Sequence, residues 1–255
     1  MKPKPPIPPL LRKILRKILN RNYYTNLIGR HEKTTLAIWE ILSSNLSSKS
    51  TVIDIGAYHG EFSIISRSSN SKIKIHAFEP NTISIKNLDK NISGLSIKTS
   101  NFAITDFCGE QAFLKSNAKS RLMENNSVEE TIKVETITLD KYQELNKLKI
   151  ELIKIDTEGN EYKILKSASN VLKKFKPTIL CEVLNNELGK KLTKLLSQDY
   201  IFFHIDEKYK CITQKPSIDR TLWRNRNWYL VPLIKKENFK ELILNSKNII
   251  FSVKK

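Results

Sequence analysis

Acidic residues and glycines cluster in this 255-residue chain in a pattern typical of a ligand site. In the stretch Thr51–Ser63, TVIDIGAYHGEFS, a short apolar run reaches Asp54 and is followed by Gly56 and Gly60. Glycine permits a tight turn and lets the backbone approach a ligand closely, and the start of the next helix offers free N–H groups. The stretch therefore predicts a nucleotide-type cofactor site at the end of a first buried strand.

A second acid narrows the choice of cofactor. Glu79 follows the predicted strand Lys72–Phe78, and its two oxygens can accept both hydroxyls of a ribose. A nicotinamide dinucleotide fits poorly, because Tyr58 stands where its G-x-G-x-x-G pattern needs the second glycine and Asp54 would lie beside a pyrophosphate. S-adenosylmethionine carries a sulfonium and an ammonium group, so the acid at Asp54 becomes favourable, by direct attraction or through a water. The residues favour S-adenosylmethionine.

The loop after the third predicted strand, Leu95–Thr99, is expected to approach the adenine of this cofactor, with Phe102 placed to stack on the base. The candidate cofactor-binding residues are Asp54, Gly56, Ala57, Tyr58, Gly60, Glu79, Pro80, Asn101, Phe102 and Ala103.

Three further acids, Asp156, Glu158 and Glu182, are the candidate catalytic residues. They fall at or near the carboxyl ends of the predicted strands Leu152–Ile155 and Thr178–Val183, where ligands bind in an open parallel sheet. A hydroxyl acceptor needs a base or a metal, so the carboxylates predict either a general base, with Asp156 preferred, or a site for Mg²⁺ or Ca²⁺. Alternatively, Glu158 stabilises a helix dipole and Glu182 pairs with a lysine.

The elements that must position these residues alternate between strands and helices. Seven strands are predicted. They are Thr51–Ile55, Lys72–Phe78, Leu95–Thr99, Leu152–Ile155, Thr178–Val183, Tyr200–Ile205 and Trp228–Val231. With the intervening helical periodicity, the order predicts an α/β, Rossmann-like fold with a seven-stranded, mostly parallel sheet, helices on both faces and additional N-terminal helices. The polar segment Gly109–Val128 is expected to be an irregular insertion that overhangs the site.

The composition bounds the class of protein. An apolar fraction of 40% is sufficient for a core, and the net charge of +18 indicates either lysines spread over solvated faces or a basic surface for a nucleic acid or an anionic membrane. The three scattered cysteines form no C-x-x-C pair and favour a reducing, cytoplasmic compartment. We divide the chain into an N-terminal extension (1–49), a cofactor-binding domain (50–232) and a C-terminal extension (233–255).

The N-terminal extension contains a basic amphipathic pattern at residues 10–21. Leucines and isoleucines recur there at helical spacing, and arginines and lysines fill the other face. Such a helix can lie on an anionic membrane surface, here the inner membrane, or pack on the main domain or a second protomer.

Five sequence blocks resemble the FkbM family of S-adenosylmethionine-dependent methyltransferases over roughly residues 50–232. They are VIDIGAYHGEFS, HAFEPN, VETITLDKY, IKIDTEGNEYKIL and WYLVP. The resemblance implies a class I methyltransferase core, usually acting on oxygen and often on sugar or polyketide hydroxyls. It also implies cofactor roles for Asp54, Gly56, Gly60 and Glu79, and active-site placement for Asp156 and Glu158. Tyr58 and Thr157 depart from the asparagine and the aliphatic residue usual in the family.

The predicted function is O-methylation of a hydroxyl on a sugar, a glycan or a related small acceptor. The alternative is a basic membrane- or nucleic-acid-associated binding protein with a non-catalytic Rossmann-like fold. No specific nucleic-acid motif is present, because D-T-E-G follows the fourth strand where methyltransferases of base amines carry [DN]-P-P-[FY].

Overall fold

The computed structural model describes residues 32–114, 131–219, 225–246 and 249–253. The predicted basic helix at residues 10–21 and most of the predicted insertion lie outside these ranges. Within the described ranges, no helix combines the length and the apolar character needed to cross a membrane.

Strands of the described residues form two sheets. They are β1 (Thr51–Ile55), β2 (Lys74–Phe78), β3 (Lys98–Ser100), β4 (Ala103–Ile104), β5 (Gly109–Leu114), β6 (Thr131–Ile137), β7 (Ile150–Ile155), β8 (Thr178–Glu182), β9 (Tyr200–Asp206), β10 (Cys211–Lys215), β11 (Asn227–Pro232) and β12 (Ile250–Val253). The larger sheet has the order β12-β10-β9-β11-β8-β7-β1-β2-β3. Neighbours from β3 to β8 are parallel, whereas β11 is antiparallel to both β8 and β9. The predicted Rossmann-like, mostly parallel α/β fold is confirmed.

The predicted strand number was wrong, because the larger sheet has nine strands among the described residues instead of seven. Two strands near its far edge, β10 and β12, were missed. In β10, only Ile212 is fully buried, so this strand lacks the apolar run by which the central strands were found. Since β12 joins the sheet through β10, the C-terminal extension contributes one strand to the same sheet.

The second sheet has the order β4-β6-β5. Its strand β5 begins the segment that was predicted to be irregular, and it pairs antiparallel with β6. Phe113 of β5 packs with Ala103 and Val134 in a small apolar cluster. This burial of one face explains why a largely polar segment forms a strand here.

Helices cover both faces of the large sheet. They are α1 (Lys33–Ser44), α2 (Glu61–Ser69), α3 (Thr82–Asn91), α4 (Leu139–Asn146), α5 (Glu161–Ser167), α6 (Ser169–Phe175), α7 (Asn186–Leu196) and α8 (Lys236–Leu244), with a 3-10 turn at Leu233–Lys235. Apolar residues of α1, α2, α3 and α8 enter one core cluster, and those of α4 to α7 enter the other. The carboxyl ends of the parallel strands are left to form a site.

Helix α1 is held to the domain by hydrogen bonds at its start and at its middle. Glu207 accepts hydrogen bonds from the backbone N–H groups of Thr34 and Thr35, at 2.7 and 2.9 Å, and so caps the helix start. Further along, the indole of Trp39 donates to the carbonyl of Phe62 at 3.0 Å and packs edge-on against its ring. Helix α1 is therefore an integral layer of the fold.

Candidate cofactor and active site

A cavity of about 240 Å³ opens at the carboxyl ends of β1, β2 and β7. Its walls come from the ends of these strands, from the β3–β4 loop and from the small sheet. The lining residues are Ile55, Gly56, Tyr58, Phe78, Glu79, Pro80, Ser84, Phe102, Ala103, Ile104, Phe113, Asp156, Thr157, Glu158 and Asn160. This is the position at which open α/β sheets bind ligands.

The glycine turn after β1 fits closely against the loop after β7. Gly56 has a φ of +73°, and a Cβ atom built on it would lie 1.8 Å from the carbonyl oxygen of Asp156. The N–H groups of Gly56 and Ala57 both donate to the carbonyl of Phe78, at 3.0 and 2.9 Å. Only glycine can occupy position 56 without moving the Asp156 backbone. The turn is therefore packed against the Asp156 backbone, and Gly56 also lines the cavity, where the turn forms the part of the wall that we call the cofactor cradle.

Glu79 forms the part of the cavity wall next to this turn. Its side chain is buried, and its two oxygens accept hydrogen bonds from the backbone N–H groups of Tyr58 and Asn81, each at 2.9 Å. Burial raises the pKa of Glu79, and these two N–H groups oppose that shift. Each carboxylate oxygen can accept more than one hydrogen bond, so capacity remains for ribose hydroxyls. Glu79 therefore orders the Tyr58 loop as well as facing the cavity.

The part of the loop at Tyr58 and Gly60 shapes the start of α2. Tyr58 adopts a φ of +49°, is 46% exposed and stacks on the ring of His59 with 3.8 Å between the centroids. Gly60 precedes α2, and a Cβ on it would lie 2.5 Å from Leu88 Cδ1. Gly60 thus serves the packing of α2 against α3 and does not line the cavity.

Asp54 does not face the cavity, contrary to the expected direct attraction of a cationic cofactor. It is fully buried, and its Oδ2 accepts a hydrogen bond from Ser63 Oγ at 2.7 Å. Its Oδ1 lies 3.7 Å from the ammonium group of Lys154. Burial raises the pKa of Asp54, against the opposing effects of Lys154 and Ser63. The reason for the difference is strand alternation, which points position 54 towards Ser63 of α2 while the neighbouring Ile55 lines the cavity.

Lys154 is a buried cation that the sequence analysis did not single out. Its ammonium donates to the Gly56 carbonyl at 2.6 Å and lies 3.5 Å from Asp156 Oδ2 as well as 3.7 Å from Asp54 Oδ1. Burial disfavours its charge, but the carboxylates of Asp156 and Asp54 outweigh burial and raise the pKa of Lys154. Lys154 therefore remains protonated beneath the cavity floor.

The loop between β7 and α5 is shaped by Glu161, the first residue of α5. Glu161 is fully buried, and its Oε1 accepts from the N–H and hydroxyl of Thr157, at 3.0 and 2.9 Å, and from the N–H of Gly159 at 3.2 Å. Within this loop Glu158 takes a φ of +56°. Asn160 ties the loop to the small sheet by donating to the carbonyl of Ile104 at 3.0 Å. These bonds place Asp156 and Glu158 at the cavity.

Glu182 stands behind Asp156 at the end of β8. One oxygen each of Asp156, Glu158 and Glu182 lies within 4.8 Å of the others. Burial, with the charges of Asp156 and Glu158, raises the pKa of Glu182 to about 9 against the opposing effect of Arg226. The guanidinium of Arg226 lies 3.4 Å from Glu182 Oε1. Glu182 is therefore protonated at neutral pH, and it does not line the cavity.

The structure thus brings most of the candidate residues together. Five of the thirteen, Asp54, Ala57, Gly60, Asn101 and Glu182, are not part of the cavity wall. Seven further wall residues were not predicted from the sequence, and they are Ile55, Phe78, Ser84, Ile104, Phe113, Thr157 and Asn160. Most are apolar or carry small polar groups, so only their position next to the recognised motifs could have indicated them. The roles of the candidate residues in binding and catalysis stay predictions.

The sheet order and the site together define a class I, Rossmann-like methyltransferase fold. A model of the methyltransferase FkbM domain matches residues 54–205, which is more than half of the chain. The chain therefore belongs to the FkbM methyltransferase family. A search of curated proteins gave no match.

Solved structures with a similar fold are distant in sequence. A methyltransferase FkbM from Methylobacillus flagellatus shares 15% identity over 87% of this chain, with a TM-score of 0.47, and this chain spans 58% of that one. A precorrin-6y C5,15-methyltransferase from Geobacter metallireducens shares 13% identity over 81% of this chain and 89% of its own, at a TM-score of 0.42. Aeropyrum pernix fibrillarin with natively bound S-adenosyl-L-methionine shares 11% identity over 76% of each chain, at a TM-score of 0.44.

Proposed function

We propose that this protein transfers a methyl group from S-adenosylmethionine to a hydroxyl group of a sugar, a glycan or a related small acceptor. The observation that carries the proposal is one cavity with two kinds of wall. One side has the glycine turn and the buried carboxylate of Glu79, and the other has the carboxylate of Asp156, whose side chain is 43% exposed. Family membership does not favour the alternative of a non-catalytic binding protein.

The residues of the first wall fit S-adenosylmethionine. Glu79 offers two acceptor oxygens for the ribose hydroxyls, and Phe102 offers a ring for the adenine. Gly56 lines the cavity and has no side chain, so the cradle can admit the cofactor close to the backbone. When bound, the cofactor supplies an activated methyl group on a sulfonium. The protein must then align the acceptor and remove its proton.

Asp156 is the group proposed to take that proton. It is partly exposed at the cavity, and its Oδ2 lies 3.5 Å from the ammonium group of Lys154. With the methyl group supplied by bound S-adenosylmethionine, Asp156 would take the proton of the acceptor hydroxyl as that oxygen gains the methyl group, and S-adenosylhomocysteine would be the leaving product. Glu182 keeps its own proton at neutral pH and so reduces the repulsion within the acidic cluster.

A divalent cation fits these residues poorly. Asp156 already has Lys154 beside it at 3.5 Å, and Glu182 has Arg226 at 3.4 Å. Two of the three clustered carboxylates therefore have a cationic partner, and a protonated Glu182 is a weak ligand for Mg²⁺ or Ca²⁺. We assign no step to a metal.

The proposal is tested by calorimetry and by a screen for turnover. The protein should bind S-adenosylmethionine and S-adenosylhomocysteine. A panel of sugars and polyols should contain compounds that stimulate the formation of S-adenosylhomocysteine. Asp156→Asn should keep the cofactor affinity and lose turnover, whereas the control Glu144→Gln changes only an exposed acid on α4 and should lose neither. Absence of cofactor binding would reject the proposal, and full turnover in Asp156→Asn would reject the role of Asp156.

A further inference from the structure

The proposed chemistry assigns no role to the buried charge of Lys154. Lys154 is part of β7, and only 6% of its side chain is exposed. A buried ammonium is costly unless its donors are satisfied and its charge is balanced. The energetic cost makes its position beneath the cofactor cavity informative.

The ammonium group donates one hydrogen bond and lies close to two carboxylates from different parts of the site. Gly56 contributes its carbonyl from the glycine turn at 2.6 Å, and Asp156 contributes a carboxylate from the loop after β7 at 3.5 Å. Asp54, on β1, lies at 3.7 Å. Phe62 of α2 covers the ammonium from the side, with 5.5 Å between Nζ and the ring centroid. One group thus touches both loops that form the cavity floor.

We propose that Lys154 is a positioning residue that fixes the glycine turn and Asp156 relative to each other. This inference rests on the proposed function for its meaning in catalysis, because it assigns the geometry of that same site. Through its hydrogen bond to the Gly56 carbonyl, Lys154 holds the glycine turn, which forms the cofactor cradle, in place. Through the Asp156 carboxylate, it holds the proposed base in the orientation in which it faces the acceptor.

The pairing with Asp54 separates this role from a purely structural one. If Lys154 only neutralises the buried charge of Asp54, then removing both charges together should restore a normal site. If Lys154 positions the loops, removing both charges should restore stability and leave the loops loose. Asp54→Asn suits this comparison, since its amide oxygen can still accept the hydrogen bond from Ser63.

Hydrogen–deuterium exchange of the ligand-free protein measures the mobility of the two loops without any acceptor or cofactor. The reporters are the N–H of Ala57, bonded to the Phe78 carbonyl at 2.9 Å, and the N–H of Asp156, bonded to the Ile55 carbonyl at 3.1 Å. The set comprises Lys154→Met, Asp54→Asn and the double variant. Lys149→Met is the matched control, because it removes a half-exposed lysine with a carboxylate partner, Glu151, near the other end of β7.

We expect Lys154→Met to melt at a lower temperature and the double variant to recover most of that loss. In both, peptides covering residues 55–60 and 155–161 should exchange about tenfold faster or more, while Asp54→Asn and Lys149→Met exchange like the wild type. Wild-type exchange in the double variant would overturn the proposal, and so would an equal rise in peptides of residues 200–206. A double variant that does not fold would also overturn it.

Calorimetry with S-adenosylmethionine on the same proteins keeps the two proposals apart. The double variant should bind the cofactor at least about tenfold more weakly than Asp54→Asn. If the wild type binds no cofactor, the proposed function fails, while the exchange measurement still decides whether Lys154 positions the loops. If the double variant binds as tightly as Asp54→Asn, Lys154 does not position the cradle.

Discussion

Replacing Gly56 by alanine tests the close approach of the two loops at the cavity. The new Cβ would lie 1.8 Å from the Asp156 carbonyl oxygen and 2.9 Å from its carbonyl carbon, both of which are backbone atoms. No rotamer change can relieve such a contact, so either the turn or the Asp156 backbone must move. The variant should therefore lose both stability and the shape of the cofactor cradle.

Gly94→Ala provides the matched control. Gly94 has a φ of +77°, close to the +73° of Gly56, but nothing lies within 4 Å of a Cβ at position 94. Each substitution places a side chain in the left-handed region at a cost of about 1–2 kcal/mol. This cost cancels in the comparison. The displaced backbone at Asp156 adds about 1–3 kcal/mol for Gly56→Ala alone.

Thermal unfolding and calorimetry measure the two consequences. For a chain of this size, the additional cost corresponds to a melting temperature about 2–12 °C below that of Gly94→Ala. Affinity for S-adenosylmethionine should fall at least about tenfold in Gly56→Ala and remain near the wild-type value in Gly94→Ala. Equal melting temperatures and equal affinities in the two variants would refute the argument from the loop contact.

Three further predictions follow from other groups at the site. Glu161→Ala removes the acceptor of three part-buried hydrogen bonds from Thr157 and Gly159, which should lower the free energy of unfolding by about 2–4 kcal/mol in chemical denaturation, and unchanged stability would contradict this role. The pKa of Glu182 is raised from an ordinary 4.5 to about 9, so the folded state binds more protons than the unfolded state between these pH values. The contribution of Glu182 to stability is therefore fully present below about pH 4.5 and is lost as the pH rises through about 9. Glu182→Gln should flatten this part of the stability curve measured by denaturant titration, and an identical curve would contradict the assignment. Chelation by EDTA should leave turnover unchanged, whereas loss of turnover that Mg²⁺ restores would show that a metal is needed.

The central strands and the motif positions were predictable because buried strands require runs of apolar residues, which are visible in the sequence. The strands β1, β7 and β8 are almost wholly buried, so each appears as a short apolar run. The acids and glycines that end such runs necessarily meet at one edge of a parallel sheet. Sequence reasoning could therefore place Glu79 and Asp156 near each other.

Contacts across the sheet could not be predicted in this way. Asp54 was expected to face a cationic cofactor, but its charge is balanced by Lys154, which lies 100 residues later in the chain. The register that brings them together pairs Asp54 directly with Lys154 across β1 and β7. Neither hydrophobic periodicity nor motif spacing indicates this register, so the sequence did not predict that Lys154 lies beside Asp54.

Short edge strands were missed for a related reason. Strand β10 owes its structure to pairing with β9 and β12 and not to its own apolar pattern. Strand β5 forms because Phe113 is buried against β6, although most of its neighbours are polar. Tertiary pairing decides such segments, and a single sequence holds little information on it.

Binding of S-adenosylmethionine to the wild type and to Glu79→Gln, measured by calorimetry, tests the central claim most directly. The control is Glu110→Gln, which changes an exposed acid on β5. We predict one cofactor site per chain, an affinity at least about tenfold weaker in Glu79→Gln, and no change in Glu110→Gln. A wild-type protein that binds no S-adenosylmethionine, or a Glu79→Gln variant that binds it as tightly as the wild type, would contradict the account.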